Sequence, residues 1–224
     1  MRNSSEPLPE RRLEAKSCAS RATGITGSQL LQDFVERRSQ DAFAELVRVY
    51  GPMVFGVCRR VVGHHYDAED AFQSTFLVLS QKAALIKSGE ILFGWLYQVA
   101  YHVSLRAKSE LIKRTTKEKP MSDDCEPAAA VPGVWVELEP ILDGELNRLS
   151  EKYRLPVLLC DLGGRTQKEA ATELGWSQGT LSARLTKARS ILAQRLARHG
   201  FTLSAGALAV LISQQAASAT VPAT

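Results

Sequence analysis

The chain has 224 residues, 45% of them hydrophobic, with 28 Lys and Arg against 24 Asp and Glu for a formal net charge of +4. That length and apolar content suffice to bury one or two cores. The four cysteines, Cys18, Cys58, Cys125 and Cys160, fall in no CxxC or Cys/His ligand spacing, which excludes a zinc framework and reads as buried thiols at Cys58 and Cys160 in a reducing compartment. The polar N-terminus is no signal peptide, and the most apolar tail segment, Ala205 to Ile212, is far short of the roughly 20 residues a membrane span needs. A cytoplasmic protein without membrane association is expected.

Residues 1–27 are rich in Arg, Glu, Ser and Pro without apolar periodicity, and disorder is expected there. A helical domain of residues 28–114 follows. Leu30, Leu31, Phe34 and Val35 mark a short helix, and Phe43, Leu46, Val47, Tyr50, Val54, Val57, Cys58 and Val61 mark a longer one, in which Pro52 predicts a kink or a break. Gly63 ends it, and Asp67 is placed to cap a third helix with Ala71, Phe72, Thr75, Phe76 and Leu79 inside. After a loop at Lys87-Ser88-Gly89, a fourth helix is expected from about Leu92 to Arg114. Residues 115–140 carry Pro120, Pro127, Pro132, Gly133 and Pro140 and read as a linker that no continuous helix spans. A second helical domain, residues 141–203, has Ser150 as a cap and Pro156 where a helix restarts or bends. The tail, residues 204–224, is Ala-, Ser- and Gln-rich and reads as a short docking helix or a frayed end. The fold class is therefore all-α, two small helical domains joined by a flexible linker.

The second domain contains the most informative stretch, GRTQKEAATELGWSQGTLSARLTKARSIL from Gly164 to Leu192. Thr166 with Glu169 makes a capping box, Gly175 ends that helix, and Ser177 caps the next. In this second helix Leu181, Leu185, Ala188 and Leu192 form one apolar face, while Thr180, Ala183 and Lys187 lie opposite, flanked by Gln178 and Arg184. The outline is a helix-turn-helix whose second helix suits a DNA major groove, although an ordinary helical hairpin with a solvated basic face has the same pattern. Charge is blocked along the chain. Lys87 to Lys119 holds seven Lys and Arg against three acids, Arg165 to Arg198 seven against two, and Pro120 to Glu151 eight acids against Arg148. Two basic surfaces for a polyanion, separated by an acidic spacer, fit that arrangement, as do plain solvated helix faces. The spacer also suggests that the domains close on each other when free.

Two motif sets in order carry a resemblance. The first is DAFAELVRVYGPMVFGVCRRVVG, DAEDAFQSTFLVL and GWLYQVAYHVSLRA; the second is LNRLSEKYRLPVLLCDLGGRTQKEAATELGWSQGTLSARLTKAR. Over residues 28 to 203 the chain resembles the extracytoplasmic-function (ECF) sigma factors of the sigma-70 superfamily. The resemblance implies a non-enzymatic protein, without cofactor or metal, whose partners are core RNA polymerase, promoter DNA and, in some cases, an anti-sigma factor. The first domain then corresponds to region 2, which holds the polymerase and opens the −10 element, and the second to region 4, which reads the −35 element as a duplex.

Residues fit these implied roles. Glu69, Asp70 and Gln73, on the polar side of the third helix, suit the polymerase clamp, although acids near a helix start also favour the macrodipole. On the fourth helix Gln98, His102 and Arg106 recur along one side; with Lys87, Lys108 and the aromatic Trp95 they would hold an opened strand, while Trp95 read alone is as well a core residue. In the helix-turn-helix, Arg184 and Lys187 are candidate phosphate or guanine contacts, Gln178, Thr180, Ser182 and Ala183 would set which bases are accepted, and Arg165 and Lys168 would touch phosphates. The family usually carries Asn near the His102 position and a denser basic run near Arg106, departures that bear on the details of −10 reading and not on the role, and often Lys or Arg at the Ser182 position, so either weaker −35 binding or a different preferred sequence is expected. Three other readings compete: a metal enzyme built on His64, His65, Asp67, Glu69 and Asp70, for which adjacent histidines converge poorly; a helix-turn-helix regulator acting on duplex DNA without polymerase; and a sigma-like scaffold that no longer melts promoters.

Overall fold

The computed structural model describes residues 26–86, 92–117 and 133–217; the expected disorder of the N-terminal extension, the Lys87 loop and most of the proposed linker lie outside them. Among the described residues the chain is helical throughout, with no strand. Helix α1 (Gly27–Arg37) opens on a capping box in which Thr26 accepts from the Gln29 N–H at 3.3 Å and the Gln29 side chain accepts from the Thr26 N–H at 2.7 Å. Helix α2 (Gln40–Val62) is capped by Ser39 and ends at Gly63, whose φ of +80° a side-chain-bearing residue resists. Pro52 neither breaks nor splits it. Leu46, Tyr50, Val54, Val57, Cys58 and Val61, buried along the helix on both sides of the proline, hold it continuous through tertiary packing.

Helix α3 (His65–Lys82) starts earlier than its sequence suggests. His64 is the flanking residue, and Asp67 sits inside the first turn, where its carboxylate meets the His64 Nδ1 at 3.1 Å. An acid at that depth still favours the positive end of the helix dipole. Helix α4 (Leu92–Lys117) buries Leu92, Phe93, Leu96, Tyr97 and Ala100. Helices α2, α3 and α4 pack pairwise, with α1 lying on α2.

The second half begins with α5 (Gly133–Asn147), so the C-terminal part of the proline-rich stretch is helical despite Pro140. Burial of Leu138, Leu142 and Leu146 at one-turn spacing outweighs the single backbone bond a proline removes. Helix α6 (Glu151–Val157) then widens into a π-helical turn over Leu158–Leu162, closed by the Gly163 N–H on the Leu158 carbonyl at 2.8 Å. Ser150 occupies the N-cap position of α6 without a side-chain cap bond, and Pro156 lies within the helix. Helices α7 (Gln167–Leu174) and α8 (Gln178–Arg198) follow, and the tail forms α9 (Ala205–Ala217), which docks Leu208 and Ile212 against α8, the π-helical turn and α2.

The two halves pack against each other. Arg60 of α2 donates from Nε and Nη2 to the two carboxylate oxygens of Asp143 on α5, at 2.7 and 3.0 Å, and the Tyr97 hydroxyl donates to the same carboxylate at 2.9 Å. Phe93 lies where a side chain on Gly163 would stand, and Leu155 fills the corresponding space at Gly94. These contacts join the cores of both halves into one apolar cluster.

Cys58 is buried and Cys160 half-buried, and both thiols are free. Burial pushes each thiol up to about 11; hydrogen bonds to Ser104 and Thr75 only partly oppose it at Cys58, and at Cys160 the Asp161 charge reinforces it against Arg189. Since the thiolate is the nucleophile, neither cysteine is expected to react with iodoacetamide at pH 8 in the folded protein, whereas both should label in denaturant. Mass spectrometry of their peptides checks this, and rapid native labelling of Cys58 would contradict its placement.

Candidate nucleic-acid interface

Short-range signals build the helix-turn-helix. Thr166 accepts from the Glu169 N–H at 3.2 Å while the Glu169 carboxylate accepts from the Thr166 N–H at 2.9 Å, which fixes the start of α7. Gly175, at φ +65°, turns the chain, and the Trp176 N–H closes α7 on the Ala171 carbonyl at 2.9 Å. Ser177 then accepts from the Thr180 N–H at 3.1 Å to start α8. Leu181, Leu185, Ala188, Leu192 and Leu196 bury one side of α8.

The outward side is lined by Gly179, Ser182, Ala183, Thr186, Lys187 and Ser190, which form one shallow surface. Ser182, Ala183 and Lys187 were expected there. Thr186 and Ser190 were not singled out, although their spacing of four and eight residues from Ser182 places them on the same stripe. Thr180 lies at the edge, and its hydroxyl is 2.9 Å from the Ser177 hydroxyl within the cap. Gln178 is exposed on the opposite edge; Lys168 on α7 is exposed, and Arg165, just before the cap of α7, is half-buried.

Ion pairing sorts the cations of α8. Arg189 is tied to the buried Asp161 through two hydrogen bonds. Arg195 and His199 both engage Glu145, as does Arg148 in the turn after α5. Burial would raise the Glu145 carboxyl, but its bonds to His199 and Arg148 and the charges of Arg148 and Arg195 outweigh that and hold it below the ordinary range. Arg189 and Arg195 therefore brace the fold. Arg184 and Lys187, nearer the turn, form no ion pair among the described residues. The Arg184 guanidinium instead lies over the Trp176 ring, 4.1 Å from its centroid.

In the first half, α3 and α4 enclose a groove of about 790 Å³ lined by Trp95, Gln98, His102 and Arg106 together with Asp67, Asp70, Lys82, Glu110 and Arg114. Four of the expected strand-holding residues are thus together. Lys108 is not on the groove, because two residues turn it to the other side of α4, and Lys87 is outside the described residues. Trp95 is half-buried, so it belongs both to the groove wall and to the margin of the core. Gln98 already has a partner. With its amide oxygen towards Arg154 of α6, it accepts from both guanidinium nitrogens at 3.0 and 2.6 Å.

Of the acidic set on α3, Asp70 faces the groove and Glu69 meets the His65 Nε2 at 3.3 Å. Asp70 and Gln73 are exposed and share a stripe with Tyr66 and Leu77, which expose 73% and 59% of their surface. Composition gave no sign that these two large apolar side chains would face solvent. Among the described residues no group of three or more His, Cys, Asp or Glu side chains converges as a metal site, and no helix is long and apolar enough to cross a membrane.

Comparison with known proteins matches residues 46–111 to the model "Sigma-70 region 2" and residues 141–192 to "Sigma-70, region 4". The chain is 30% identical over 141 residues to the ECF RNA polymerase sigma factor SigF of Caulobacter vibrioides, covering 62% of this chain and 76% of that protein. It is 26% identical over 181 residues to the ECF RNA polymerase sigma factor SigE of Mycolicibacterium smegmatis, covering 78% and 69%, and 25% identical over 182 residues to SigW of Bacillus subtilis, covering 72% and 92%. Among solved structures, CnrH in complex with the cytosolic domain of CnrY aligns with 77% of this chain and 99% of that one at 21% identity and a TM-score of 0.40. With a helical fold among the described residues and both regions matched in order, the chain belongs to the sigma-70 family as an ECF RNA polymerase sigma factor.

Proposed function

We propose that this sigma factor divides promoter reading between its halves, with the α3–α4 groove taking the opened −10 strand and the outward surface of α8 reading the −35 duplex. The exposed α3 stripe of Tyr66, Asp70, Gln73 and Leu77, with Glu69 beside it, meets core RNA polymerase. The protein works in the cytoplasm, catalyses no reaction of its own, and is open to control by an anti-sigma factor. One observation supports the −35 assignment above the others: Lys187 is an exposed cation without an ion-pair partner among the described residues, set in a surface of small side chains that lets α8 approach base edges closely.

Transcription by bacterial core polymerase on a fragmented genomic library, with and without the protein, tests the reading. New transcripts sharing a two-part upstream sequence are expected. Silence combined with retained duplex binding would favour a regulator that acts without polymerase. At the level of residues, Lys187→Ala should weaken binding to the upstream duplex and reduce its log–log salt slope by about 1. An unchanged salt titration would remove Lys187 from the interface.

A further inference from the structure

We propose that Trp176 is a positioning residue for the DNA contact of Arg184, a platform that sets the guanidinium before DNA arrives. The inference rests on the −35 reading of α8. Trp176 stands between two fixed points. Its N–H is bound to the Ala171 carbonyl at the end of α7, and the next residue, Ser177, is the N-cap of α8. The ring is half-buried and packs against the core, so the platform belongs to the rigid part of the turn.

Arg184 lies two turns into α8 from that platform and stacks on it at 4.1 Å. A guanidinium that stacks uses its flat face, and its N–H donors remain in the plane, pointing outwards. Carboxylate pairing, as at Arg189, occupies the donors instead. Of the α8 arginines, Arg189 and Arg195 are thus spent on the fold, while Arg184 is held with its donors available.

The stack also decides what Arg184 reaches. One residue is a 100° step around a helix, so Arg184 sits to the side of the surface formed by Gly179, Ala183 and Lys187. Its place is over the strand bordering the groove, where phosphate oxygens accept paired N–H donors. Lys187 is then the one charged group lining the base-facing surface. Holding a long side chain in its bound geometry beforehand lowers the ordering cost of binding.

The test uses the full chain and two fluorescent duplexes, one of mixed sequence and one carrying the upstream element recovered from transcription, titrated over a range of salt. Trp176→Ala, Trp176→Phe, Arg184→Ala and the double variant are compared. Trp176→Ala should weaken binding about two- to five-fold, the effect of a cation–π contact at an exposed site, and Trp176→Phe should recover part of it. Arg184→Ala should lower the salt slope by about 1. In the Arg184→Ala background, Trp176→Ala should add nothing, since the two side chains act as one unit. A purely structural Trp176 would weaken binding equally in both backgrounds, and that result, or unchanged affinity for Trp176→Ala, overturns the inference. If Arg184→Ala and Lys187→Ala both bind like the parent chain, it is the −35 reading that fails.

Discussion

Asp143→Ala is expected to destabilise the folded chain by about 3–5 kcal/mol, the usual consequence of removing one partner of a buried ion pair. Asp143 has no exposed surface and Arg60 is 7% exposed at the side chain. One carboxylate receives both guanidinium bonds and the Tyr97 hydroxyl, so its loss takes hydrogen-bond acceptors from two buried donors. Burial and the adjoining carboxylate also hold the Tyr97 phenol well above its ordinary value, so it stays a neutral donor at physiological pH. Replacing Arg60 and Asp143 together by leucine should cost much less than Asp143→Ala, because both charges leave the interior. Urea unfolding followed by circular dichroism measures the series, and parental stability for Asp143→Ala would refute the pairing. Because Arg60 and Asp143 belong to different halves, the single variant should also reduce cooperativity, with a lower m-value or two transitions.

Loss of that seam has a consequence for the α3–α4 groove. Gln98 lines the groove and, in the packed arrangement, accepts from Arg154 of the other half. Arg154 is mostly buried and also donates within its own half to Asn147. Burial lowers the pKa of its guanidinium, only partly opposed by the Glu151 carboxylate. An amide that holds Arg154 has that acceptor engaged, so separation of the halves and release of Gln98 are one event.

Local signals made the helix-turn-helix legible. The Thr166 and Glu169 spacing, the glycine at 175 and the serine at 177 each act within four residues, and the structure shows the bonds they predict. Buried faces of α2, α3 and α8 were legible for the same reason, as apolar repeats along one element. The seam was not, since Arg60 and Asp143 are 83 residues apart and nothing near either names the other. Asp67 read as a cap because its position and an inner first-turn position look alike in sequence, and the choice follows from where His64 leaves the helix. The π-helical turn and the helix running through Pro140 depend on tertiary burial, of Leu158, Leu159 and Leu162 and of Leu138, Leu142 and Leu146, that overrides proline and propensity. Trp176 was legible only as an aromatic in a turn; its contact with Arg184 needs the angle at which α8 leaves that turn.

Leu77→Asp and Asp70→Lys are expected to reduce affinity for core RNA polymerase by about 30-fold or more each, the scale of a hot-spot residue, if α3 carries the polymerase contact. Tyr66, Asp70, Gln73 and Leu77 follow one another at intervals of three or four residues on one side of α3, so a partner surface meets them together. Two large apolar side chains at the ends of an acidic and amide-bearing stripe have the composition of a binding patch, with aromatic and aliphatic anchors and a charge that selects a basic partner. Both substituted positions are exposed, so stability should change by no more than about 0.5 kcal/mol. Duplex binding through α8 should remain, because the stripe lies in the other half. Titration of labelled protein with core polymerase, paired with thermal unfolding and duplex binding of the same samples, separates the outcomes. Loss of polymerase affinity with intact folding and DNA binding assigns the stripe to the polymerase. Parental affinity in both variants would move the contact off α3 and leave Tyr66 and Leu77 exposed for a different partner.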